Sequence, residues 1–90
     1  MFKILEELVT TIRQRKGSSA EESYTKKLLK DKKLNIKKVK EEISELIDAV
    51  EKNYNKIHEA ADGLYHLMVL LEANGIKIED VMNELKKRQK

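Results

Sequence analysis

The chain has 90 residues, 40% hydrophobic and 39% charged, with a formal net charge of +3, three glycines, no proline and no cysteine. Lack of cysteine excludes a disulfide framework, thiolate catalysis and thiolate metal ligands, and no apolar run approaches the roughly 20 residues that span a bilayer. One domain is expected at this length; because so short a chain buries only about 60% of its unfolded surface, a second copy is the expected source of further burial.

Leu, Ile, Glu and Lys dominate, and the strict apolar–polar alternation that marks strands is missing, so an all-α fold is expected. In chain order, Phe2 to Lys16 predicts a first helix with Leu5, Leu8, Val9 and Ile12 on one face. Charges interrupt its apolar residues, so it lacks a signal-peptide core, and a soluble cytoplasmic protein is expected. KGSSAEES (16–23) reads as a linker. Ser23 is positioned to cap a short second helix carrying Lys26 to Leu29.

DKKLN interrupts the pattern, and Asn35 is the expected N-cap of a third helix over about 36–53. In that helix Ile36, Val39, Ile43, Leu46, Ile47 and Val50 recur at three- and four-residue steps. KNYNK follows as a turn. A fourth helix is predicted over 56–73, ending at Asn74-Gly75, and a fifth over 79–87 with Val81, Met82 and Leu85 facing inward. The LYHLMVLL half of the fourth helix is apolar nearly all round, which requires burial on several sides. Four other short helices hardly provide that in one copy. The expected architecture is therefore a five-helix chain forming an intertwined helical-bundle dimer, with a central core helix in a monomeric bundle as the alternative.

Charge is segregated. Segment 26–40 holds eight lysines against Asp31 alone, a net of +7, while segment 41–62 holds seven acids against Lys52 and Lys56, a net of −5. A solvated lysine face is the plain reading; a cationic patch for phosphates beside an acidic patch for metal is the sharper one. Glu42 and Glu45 are three apart and share a helix face that flanks the apolar stripe. Glu59 and Asp62 repeat the spacing on the next helix, and His66 extends that strip by one turn. Charges beside a core are costly unless paired or metal-bound. If the two helices pack antiparallel, the four carboxylates converge on a site suited to Mg2+, with Mn2+ as the alternative, rather than Zn2+. A lone ExxE is usually solvated surface, and His66 by itself reads more often as a satisfied core or interface histidine than as a ligand. No serine–histidine–acid array and no Gly-rich phosphate loop is present.

EEISE (41–45) followed by EAAD (59–62) resembles the EExxE…ExxD signature of the all-α nucleotide pyrophosphohydrolases, which include the MazG-like enzymes and the dimeric dUTPases. SYTKKLL (23–29), KKVKEE (37–42), EAADGLYHLMVLL (59–71) and NGIKIEDVMNELKKR (74–88) more closely resemble phosphoribosyl-ATP pyrophosphohydrolase, in order along essentially the whole chain. The resemblance implies Mg2+-dependent hydrolysis of phosphoribosyl-ATP to phosphoribosyl-AMP and pyrophosphate, in histidine biosynthesis. Carried over by residue, Glu42, Glu45, Glu59 and Asp62 are the implied metal ligands. Glu41 is the implied neighbouring acid that orients the attacking water. Ser23, Tyr24 and Thr25 occupy the family's N-terminal motif, placed near the substrate; independently of the resemblance, His66 is a further substrate-binding candidate, and among the basic residues Lys26 and Lys38 are the favoured phosphate contacts. Two departures stand out: Lys40 occupies a position where the family commonly has a small residue, and Gly63 one where it commonly has leucine. Expected partners are the small-molecule substrate and a second copy of the chain, with no nucleic acid or membrane. The rivals are a (d)NTP pyrophosphatase of the same superfamily, a basic helical module that binds nucleic acid, and a structural helix pair.

Overall fold

A computed structural model of the chain, describing residues 1–17 and 23–89, contains five helices and, among the described residues, no strand. They are α1 (Lys3–Gly17), α2 (Tyr24–Lys30), α3 (Lys32–Lys52), α4 (Lys56–Ala73) and α5 (Ile78–Arg88). Most of the expected linker, 18–22, lies outside the described residues.

The boundaries follow from capping chemistry. Ser23 caps α2 as expected, its Oγ accepting from the backbone N–H of Lys26 at 3.1 Å. The start of α3 differs from expectation. Asp31 ends α2 and also caps α3, its carboxylate accepting from the Leu34 N–H at 3.1 Å. A strong cap one turn before Asn35, followed by two lysines and a leucine that propagate helix well, starts the helix early. Asn35 instead lies inside α3, fully buried, and neither polar atom of its side chain has a hydrogen-bond partner.

Asn53 and Asn55 both adopt left-handed backbone, φ 56° and 51°, which lets the chain reverse within three residues. Helix α4 closes in a Schellman arrangement: the Ile76 N–H donates to the Leu71 carbonyl at 2.9 Å and the Gly75 N–H to the Glu72 carbonyl at 3.3 Å. Gly75 supplies the required positive φ of 72°.

Helices α3 and α4 form the most extensive pair, an antiparallel hairpin. Glu45 meets Glu59 near its closed end, while Ile43 and Leu46 meet Gly63 one turn further along α4. Helices α1 and α2 pack on the C-terminal half of α4, where Val9, Ile12, Leu28, Met68 and Val69 form the core. Arg13 binds Glu72 and Glu79 together, joining α1, α4 and the first turn of α5.

Two inward faces expected from sequence are not covered in the single chain. In α5, Val81 is half-buried, but Met82 and Leu85 are about half exposed, at 50% and 51%. The start of α5, at Ile78 and Glu79, is tied to the core, and its later apolar residues Met82 and Leu85 run past it. On the hairpin, Ile36, Ile43, Ile47 and Val50 of α3 and Ile57, Leu64 and Leu67 of α4 are exposed. The nearly all-apolar half of α4 thus buries Met68 and Val69 and presents Leu64 and Leu67 to the outside.

Candidate metal centre

The antiparallel hairpin places two acidic pairs against each other. Ligand oxygens of Glu42, Glu45 and Glu59 lie within 4.8 Å of one another, and a second group within the same distance comprises His58, Glu59 and Asp62. Glu59 is common to both. Its Oε1 is buried and has no hydrogen-bond partner, an arrangement that costs free energy unless a cation or donor fills the gap. Glu42 is held protonated to higher pH than an ordinary carboxylate, first by burial and then by the charges of Glu45, Asp62 and Glu59, against the opposing influence of His66. A hard divalent cation meets both features: it partners the orphaned oxygen and relieves the like-charge repulsion. The residues present fit such an ion.

Gly63 lies where α4 faces α3. A Cβ placed there would meet Ile43 Cδ1 at 3.5 Å and Leu46 Cδ2 at 4.0 Å, ordinary contact distances. Near this level the oxygens of Glu42 and Glu45 on α3 and Glu59 on α4 come within 4.8 Å of one another.

Beside the acids, α2 docks its N-terminus on α4 through aromatic contacts. His66 is buried, with Nδ1 2.8 Å from the Asp62 carbonyl oxygen and Nε2 2.8 Å from the Tyr24 hydroxyl. A carbonyl oxygen only accepts, so Nδ1 carries a proton, and in the neutral ring Nε2 accepts from Tyr24. Both nitrogens are thereby engaged within the chain, and His66 reaches a substrate only through Tyr24. Thr25 and Tyr65 share a hydroxyl–hydroxyl hydrogen bond. The Tyr24 ring stacks over Tyr65 with centroids 6.4 Å apart, and it stays 47% exposed. Partial burial raises its phenol pKa above the ordinary value, countered by Lys38.

The other expected site residues lie at the rim. Lys38 and Glu41 pair at 3.3 Å, which holds the lysine charged to higher pH. Glu41 belongs to neither convergent group. Ser23 Oγ is committed to its cap, and Lys26 Nζ lies 3.5 Å from the Arg15 carbonyl oxygen. The four expected ligands thus fall into two groups joined at Glu59, with Glu42 and Glu45 in one and Asp62 in the other, while Lys38 and Tyr24 lie close enough to Glu41 and Glu42 to feel their charge and Thr25 bonds Tyr65. Sequence reasoning overlooked His58. Its position four residues before Asp62 was the available signal.

Fold and site define an all-α protein with two acidic pairs facing each other on an antiparallel helical hairpin. A model of the phosphoribosyl-ATP pyrophosphohydrolase family matches residues 5–89. The chain belongs to the phosphoribosyl-ATP pyrophosphohydrolase family. It is 45% identical to the phosphoribosyl-ATP pyrophosphatase of Clostridium novyi, over 97% of this chain and 82% of the relative. It is 44% identical to that of Sulfurisphaera tokodaii, over 97% and 96%. Identity reaches 49% with the histidine biosynthesis bifunctional protein HisIE of Pyrococcus furiosus, over 99% of this chain but only 43% of that longer protein.

Proposed function

We propose that the chain hydrolyses phosphoribosyl-ATP to phosphoribosyl-AMP and pyrophosphate, using Mg2+ held by Glu42, Glu45, Glu59 and Asp62. The observation that carries this reading is the convergence of the acids around Glu59, whose buried oxygen lacks a partner. Phosphoribosyl-ATP pyrophosphatase relatives that align along nearly the whole chain support the choice of substrate.

When bound, the ion neutralises phosphate oxygens and acidifies water near neutral pH. The chain's own part is positioning. The four carboxylates hold the cation against the hairpin. Lys38, half-buried beside Glu42 and Tyr24, takes a phosphate oxygen at the rim, and Lys26, also half-buried, contacts the polyphosphate. Glu41, at the same rim, orients the attacking water. Tyr24 borders the substrate with its exposed ring, while Ser23 and Thr25 fix the α2 terminus that carries it.

The working form we propose is a homodimer joined through the uncovered faces of α3 and α4. The radius of gyration of one chain is 14.2 Å, against about 12 Å for a compact chain of this length. That difference and the exposed isoleucine stripe support a partner that completes the fold. No described helix is long and apolar enough to cross a membrane, and a biosynthetic substrate of this kind goes with a cytoplasmic enzyme.

The test is Glu42→Gln. It keeps the shape and removes the charge, so turnover of phosphoribosyl-ATP in Mg2+ is expected to fall by about 100-fold or more while helicity by circular dichroism is unchanged. Retention of more than about a tenth of wild-type activity would sink the ligand assignment.

A further inference from the structure

His58 lies outside the acidic signature, on the exposed side of α4. Its Nε2 is 3.3 Å from Asp62 Oδ2, and the two side chains are 64% and 41% exposed. A surface ion pair at i, i+4 is the ordinary account of such a contact and contributes little. The setting differs from an ordinary surface pair in two ways. The donor atoms of His58, Glu59 and Asp62 all lie within 4.8 Å of one another, so the pair is part of a three-donor group. Glu59, shared with the α3 acids, also has an oxygen that is buried and unpartnered.

Ions bound at about 2.1 Å hold their donors no more than ~4.2 Å apart. The His58 group is therefore close to closure and needs only small side-chain rotations. The H-E-x-x-D order also has a helical logic. Residues four apart sit one above the other, the spacing by which H-E-x-x-H helices direct two ligands at one metal.

We propose that His58 is a nitrogen ligand to a divalent cation shared with Glu59 and Asp62, and that it shifts this position toward later first-row transition ions such as Co2+. The inference rests on the carboxylates forming a cation site. The chemistry behind the preference is ligand softness. Imidazole suits transition ions, whereas Mg2+ gains little from it. The all-oxygen group of Glu42, Glu45 and Glu59 has no such bias. The other histidine, His66, cannot serve as the nitrogen donor while its two nitrogens bond Tyr24 and Asp62.

Metal-binding measurements on the full chain test this without turnover. Pulsed electron paramagnetic resonance of the Mn2+-loaded protein is expected to show a 14N coupling that His58→Ala removes. By calorimetry, Co2+ affinity should fall at least the roughly 10-fold that even an outer-sphere metal partner costs. Mg2+ affinity should hold within about threefold. The exposure of His58 keeps the variant folded, and circular dichroism checks it. Mn2+ bound with oxygen couplings only, or a nitrogen signal that survives His58→Ala, overturns the role of His58 and leaves the carboxylate site standing. Failure of any divalent ion to bind overturns both.

Discussion

Glu59 shows how burial and charge decide a single residue's role. It stands in both donor groups, and burial of its unpaired oxygen marks it as the pivot of the site. Gly63, four residues on, illustrates the opposite economy of side chain. As a mid-helix glycine it lowers stability, yet the space for a methyl group exists at 3.5 Å from Ile43 and 4.0 Å from Leu46. Gly63→Ala is therefore expected to stabilise the chain by about 1 kcal/mol, a rise of roughly 4–8 °C in melting temperature for a domain of this size. A lower melting temperature would mean that the hairpin relies on a closer approach here. The acidic pairing was legible at this scale because carboxylates three residues apart share a helix face. Asn35 was misread for a local reason. Asparagine and aspartate are both good caps, and only the fold shows that Asp31 acts first while Asn35 goes under the surface.

Among the helices, α1, α4 and α5 meet at Arg13, whose guanidinium bonds both Glu72 and Glu79. Its hydrogen bonds hold the Glu79 carboxyl down from 4.5 to about 2. A depressed carboxylate pKa means that the folded state favours the charged form. The contribution is complete above pH 4.5 and is lost as pH falls toward about 2. Denaturant unfolding of wild type and Glu79→Gln should accordingly differ at pH 7 and converge near pH 2. A difference that stays constant across that range would show that the ion pair does not tie α5 down. The pairing of α3 with α4 was readable from their apolar repeats and the short asparagine-rich connection. The Arg13 cluster was not, because its members are 59 and 66 residues apart in sequence and no local pattern links them. The same gap explains α5: its apolar spacing identified the helix, but not that Met82 and Leu85 would extend beyond the core of one chain.

At the scale of the molecule, the exposed stripe on α3 and α4 is the most consequential feature after the acids. Ile47 and Val50 are 53% and 58% exposed, and Ile57 is 88% exposed. Burying one such side chain is worth about 1.5–3 kcal/mol, so Ile47→Lys should weaken self-association at least roughly 10-fold. Sedimentation velocity would then show a dimeric wild type and a largely monomeric variant at equal concentration. A monomeric wild type would require another occupant for the stripe. The chemistry is tested most directly by pyrophosphate release from phosphoribosyl-ATP, ATP, dUTP and dCTP in parallel, each with Mg2+ and with EDTA. The predicted result is rapid release from phosphoribosyl-ATP alone, abolished by EDTA. Release confined to a deoxynucleotide, or release from phosphoribosyl-ATP that EDTA leaves intact, would contradict it.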